Sequence, residues 1–97
     1  MIVNINEIEK ITLLLLSKLR ESKGNEIELK NDYYWDIDES ELYNPYENPK
    51  DIGLGQLSFD LDDILRLSKS DDDAIPYDIK RLASILIALS VEHSIAF

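Results

Sequence analysis

The sequence predicts a mainly α-helical domain, with three principal helices and a short extended segment or hairpin around residues 26–37. Two observations set this class. Apolar residues recur at helical spacing over 5–23, 59–69 and 75–91, and they fall on alternate positions only over 27–37. If the two halves of that extended segment pair with each other, the class becomes α+β. A chain of 97 residues supports one core, so 1–97 is read as a single domain.

The first helix, 5–23, opens on Asn4 with Glu7 three residues later, an Asn-led capping box, and closes before Gly24. Ile8, Ile11, Leu15 and Leu19 make its stripe. Leu13, Leu14, Leu15 and Leu16 go nearly all the way round the helix, so a second face is also apolar. Over 26–37, Ile27, Leu29, Tyr33, Trp35 and Ile37 alternate, with Asn31-Asp32 offering a turn between two short strands. Asp38 and Glu41 then predict a short helix over 39–43. The breaks at Asn44-Pro45 and Asn48-Pro49 open a loop over 44–56 that includes Gly53 and Gly55.

The helix over 59–69 takes Ser58 as its N-cap and Asp60 in its first turn, with Leu57, Leu61, Ile64 and Leu65 buried. The last helix, 75–91, has Pro76 in its first turn. Its stripe is Ile75, Ile79, Leu82, Leu86 and Leu89. Ile85, Ile87 and Ala88 widen that stripe almost to the full circumference.

Charge is concentrated. Twenty acidic against ten basic residues give −10, and residues 25–78 alone hold sixteen acids and four bases. Such a surface repels nucleic acid and anionic lipid and attracts basic proteins. The longest mostly apolar run near the C-terminus spans residues 82–91, too short to cross a bilayer, and the N-terminus lacks the pattern of a secretory leader. A cytoplasmic protein without nucleic-acid or membrane partners is expected.

Chemistry-bearing patterns are few. Cysteine is absent, which removes disulfides, thiolate metal sites and cysteine nucleophiles. The carboxylates of Asp60, Asp62, Asp63, Asp71, Asp72 and Asp73 lack the glycine and terminal glutamate of a calcium loop, so no metal is expected. Gly53-Leu54-Gly55 lacks the lysine of a phosphate-binding loop. Paired carboxylates are too abundant to single out a glycosidase-type pair. His93, the one histidine, has no nucleophile assigned to it. The expectation is a protein that is not an enzyme and takes no cofactor.

The sharper feature is aromatic. Tyr33, Tyr34, Trp35, Tyr43 and Tyr46 stand within fourteen residues, interleaved with acids. Tyr and Trp anchor interfaces, and acidic neighbours steer a basic partner. Alternation places Tyr33, Trp35 and Ile37 toward the core and turns Tyr34 and Asp36 outward. The expected partner-binding residues are Tyr34, Asp36, Asp38, Glu39, Glu41, Tyr43 and Tyr46.

The string Asp32-Tyr33-Tyr34-Trp35-Asp36-Ile37, followed by Tyr46-Glu47-Asn48-Pro49 and Ile52-Gly53-Leu54-Gly55-Gln56-Leu57-Ser58, resembles a family of short uncharacterised bacterial proteins over roughly residues 30–90. That resemblance implies no functional residues. The segment Leu54-Gly55-Gln56-Leu57, entering an acidic helix, is also similar to one found in some immunity proteins of bacterial toxin systems.

These readings converge on an acidic, non-enzymatic binding protein, an immunity- or antitoxin-like inhibitor of a basic protein. The alternative is a structural or regulatory homo-oligomer, a dimer through Leu13, Leu14, Leu15 and Leu16 and the face of Ile85, Leu86, Ile87, Ala88 and Leu89.

Overall fold

A computed structural model of the chain describes residues 1–92, and His93 lies outside them. The chain is mainly helical with one small antiparallel sheet, and it divides into two units. Among the described residues the first unit is Met1–Glu28 and the second Leu29–Glu92.

The first unit is built on helix α1, Ile5–Lys23. The Asn4 side chain accepts a hydrogen bond from the Glu7 N–H at 3.1 Å. Gly24 closes the helix with φ of 86°, a left-handed value suited to glycine, and its N–H donates to the Arg20 carbonyl at 2.8 Å. Glu7 in the first turn and Arg20 and Lys23 in the last complement the helix dipole. Leu19 is buried, whereas Leu13, Leu14 and Leu15 are exposed.

The second unit begins with strand β1, Tyr33–Ile37, which pairs antiparallel with β2, Ile52–Gln56. Between them lie the one-turn helix α2, Glu39–Leu42, and an irregular connection. Helix α3, Leu57–Leu65, follows β2 without an intervening residue, continues into a 3₁₀ turn, Arg66–Ser68, and packs on helix α4, Pro76–Glu92.

Two expectations are corrected. Residues 26–30 form no strand, so there is no hairpin about Asn31-Asp32. The partner of β1 lies instead in the segment expected to be a loop. Gly53 and Gly55 account for the difference. Glycine punctuates loops, but within a strand it marks a place where something must approach the backbone closely. Here Gly55 lies opposite Tyr34 and Gly53 opposite Asp36.

The start of α3 is the second correction. Ser58 was expected to cap it, but the helix begins at Leu57, and the Gln56 side chain at the N-cap does not cap it; its amide donates to the Asp32 carboxylate at 2.7 Å instead. The cap comes from across the sheet. The Asp32 carbonyl accepts from the Leu57 N–H at 2.7 Å, and its carboxylate accepts from the Ser58 N–H at 2.8 Å and the Ser58 hydroxyl at 2.9 Å. Asp32 thus satisfies two of the four N–H groups that a helix start leaves unpaired.

Helix α4 opens as expected, with Pro76 at its first position. Asp78 is 6% exposed; its carboxylate accepts the Ile75 N–H at 2.9 Å and pairs with Arg81 at 2.7 Å. Arg81 also reaches Asp63 on α3 at 3.4 Å and stacks on the Tyr77 ring, 4.5 Å from its centroid. This polar cluster occupies the start of α4, while Ile75, Ile79 and Leu82, expected on the buried stripe, stay exposed. In the second unit Leu57 is the one buried hydrophobic side chain among the described residues. Polar ties therefore carry an unusual share of its organisation.

Candidate functional site

The alternation of β1 is real, but its two faces are the reverse of those expected. Tyr34 and Asp36 turn toward the helices. The Tyr34 hydroxyl donates to the Asp60 carboxylate on α3, and Asp36 pairs with Lys80 on α4 at 2.9 Å. Burial, together with the bond to Asp60, pushes the Tyr34 phenol up to about 12. The bond from Lys80 to Asp36 raises the lysine above its ordinary value. Tyr33 and Trp35, expected inside, stand outside at 60% and 74% exposed. Room explains the inversion. The inward face of the sheet meets glycine at both partner positions, so an aromatic ring can lie flat on it; the outward face has Leu54 and Ile52 as neighbours.

Register makes that outward face continuous. Trp35 is opposite Leu54, which is 67% exposed, and Ile37 is opposite the exposed Ile52. With Tyr33 these residues form an apolar, partly aromatic sheet face turned to solvent. Leu42, Tyr43 and Tyr46, from α2 and the connection after it, are exposed as well.

Most of the carboxylates expected to contact a partner have intramolecular duties. Asp38 caps α2, accepting from both the N–H and the hydroxyl of Ser40 at 2.9 Å, and the N–H bond holds it below the usual carboxylate range. Glu41 closes the connection that leads into β2: its two oxygens accept the N–H groups of Lys50 and Asp51 at 3.0 and 3.1 Å. Asp36 is spent on Lys80. Glu39 lies 3.6 Å from Lys80 with most of its side chain exposed. Of the seven residues, Glu39, Tyr43 and Tyr46 remain open for contact, and Tyr34, Asp36, Asp38 and Glu41 build the scaffold beneath.

No family model, curated protein or solved structure matches the chain. The carboxylates of Glu47, Asp51, Asp62, Asp71 and Asp73 make no hydrogen bond or ion pair with any described residue, and the second unit carries fifteen acidic against six basic side chains. Among the described residues no group of three or more acidic or histidine side chains is placed to hold a metal ion, and no helix is long and apolar enough to cross a membrane.

Sequence reasoning missed Tyr33, Trp35, Ile52 and Leu54 as a surface. Period two alone defines two faces without saying which is inside. The signal that could have decided it is the pair Gly53 and Gly55, which bares the backbone beneath the even-numbered side chains.

Proposed function

We propose that the protein is a non-enzymatic, acidic binding protein, immunity- or antitoxin-like in its manner of action, which occludes a basic protein partner. The observation that carries this reading is Trp35, 74% exposed at the centre of an apolar strand face in a unit of net charge −9. A large aromatic on a rigid pair of strands loses little entropy on docking and supplies the affinity of an interface anchor. The surrounding charge adds rate and salt sensitivity for a basic partner. The likeness of Leu54-Gly55-Gln56-Leu57 to a segment of toxin immunity proteins points the same way.

Affinity capture from the source cells at low salt tests it, with the wild-type chain and Trp35→Ala side by side. A basic protein retained by the wild type and lost by the variant is the expected result. Equal retention by both, or none above background, would overturn the reading.

Self-association is a second reading, favoured by the exposure of Leu13, Leu14 and Leu15 on α1 and of Ile87 on α4. Sedimentation of the isolated chain separates the two, since a stable dimer at micromolar concentration favours the second.

A further inference from the structure

Among the described residues the sheet has two strands, and β1 keeps one edge unpaired by any of them. The bond from the Leu57 N–H to the Asp32 carbonyl fixes which residues face that edge. In an antiparallel ladder hydrogen-bonded and non-bonded pairs alternate. Asp32, Tyr34 and Asp36 therefore turn their backbone groups toward β2. Tyr33, Trp35 and Ile37 turn theirs away from it, and no described residue bonds to them. Natural edge strands are blunted with lysine, proline or a bulge. This one has none of these, its single charged side chain, Asp36, is paired inward with Lys80, and its register with β2 runs without a gap.

The same edge borders a groove of about 420 Å³. Its far wall is one face of α4, where the short side chains of Ala83, Ser84 and Ala88 flank Ile87 between Lys80 and Val91, and Leu42 and Leu57 also line it. Five residues of extended chain span about 17 Å, as does α4 from residue 80 to residue 91. Asp36, Asp38 and Glu39 surround Lys80 near one end of β1, and Asp32 lies at the other.

Resting on the binding role proposed above, we infer that the partner engages this chain by strand addition: an extended segment, apolar at alternate positions and basic at both ends, pairs with β1 and lays one row of side chains into the groove against α4. An unsatisfied row of backbone donors and acceptors calls for an extended backbone rather than a helix. The net charge of −9 on this unit, with the largely exposed Glu39 beside one end of β1, selects positive flanks. A second copy of this chain would bring another acidic unit to the same edge, and charge opposes it.

The test uses the full-length chain and a nine-residue probe peptide, alternating valine and threonine in the middle with lysine pairs at each end. Two further peptides carry N-methyl groups, one on the odd and one on the even amides of the middle segment. Strand addition uses one alternate set of peptide amides. One N-methyl peptide should therefore lose binding by about tenfold or more while the other stays within about twofold of the parent. Amide exchange at Tyr33, Trp35 and Ile37 should slow in the complex. Trp35→Val, which keeps the edge N–H, should retain more binding than Trp35→Pro, which removes it without costing a bond to β2. If both N-methyl peptides bind alike and Trp35 is still shielded, strand addition is wrong and the exposed ring face alone makes the contact, which leaves the binding role standing. No binding by any of the peptides also overturns the inference. So does concentration-dependent protection of the three amides without peptide, which would make a second copy the occupant.

Discussion

The Tyr34 ring lies over Gly55, its direct partner across the strand pair, so a Cβ at position 55 would overlap the ring. The ring cannot simply move aside, because its hydroxyl is bonded to Asp60 on α3. Gly55→Ala is therefore expected to destabilise the second unit by about 1–3 kcal/mol, the usual cost of overpacking. In a Tyr34→Ala background the same change should cost much less, since the ring that a Cβ at position 55 would overlap is then gone. Urea denaturation of the two single variants and the double variant reads the coupling directly.

Trp35 should behave in the opposite way. Its ring covers little of its own unit, so Trp35→Ala should cost under about 1 kcal/mol of folding stability. Affinity for the basic partner should fall by about 2 kcal/mol or more, roughly thirtyfold. Equilibrium unfolding and a binding titration on the same preparation separate the two effects. A large loss of stability with unchanged affinity would assign the ring to the fold.

Asp32 holds the start of α3 from across the sheet. Asp32→Ala should lower the urea midpoint and speed amide exchange at Leu57 and Ser58 more than at the middle of α4. Asp32→Asn keeps an acceptor oxygen and should fall between the two. Uniform exchange along both helices would show that the cap is not what anchors α3.

Much of this architecture was legible in the sequence, and the exceptions share a cause. Helix α1 matches its expected bounds, because Asn4, Glu7 and Gly24 act on residues within one turn of themselves. Helix α4 starts one residue inside its expected range for the same reason, through Pro76 and Asp78. Strand β2 and the start of α3 were missed because their determinants are distant in the chain. Gly55 is a strand residue only in the presence of Tyr34, and Gln56 is an adequate N-cap only because Asp32 supplies the acceptor. The binding face was half legible. The aromatic cluster is visible as composition, but which of its rings point outward depends on what opposes them.

Stability should hold over a broad range of pH and fall at both ends. Asp32, Asp38 and Asp78 lie below their ordinary value of 3.8, through bonds chiefly from the Gln56 amide, the Ser40 N–H and the Ile75 N–H respectively. Groups lowered in the folded state contribute stability above their unfolded value and lose it as pH falls through the folded one. Tyr34, raised from 10.0 to about 12, and Lys80, raised above 10.5, act in the opposite sense. Their contribution is complete below pH 10 and is lost as pH rises toward 12. The urea midpoint should therefore be flat from about pH 5 to 9, and Tyr34→Phe should reduce the alkaline decline without changing the acid one. An unchanged alkaline decline in that variant would place its origin elsewhere.

The exposed strand face is tested most directly by the fluorescence of Trp35, the one tryptophan in the chain. In the free protein its emission should be that of a solvated indole and should be quenched freely by acrylamide. Adding the captured basic partner at low salt should shift the emission to shorter wavelength and protect it from quenching, and both changes should reverse as salt is raised. A partner that binds while Trp35 stays solvated and quenchable would contradict the account.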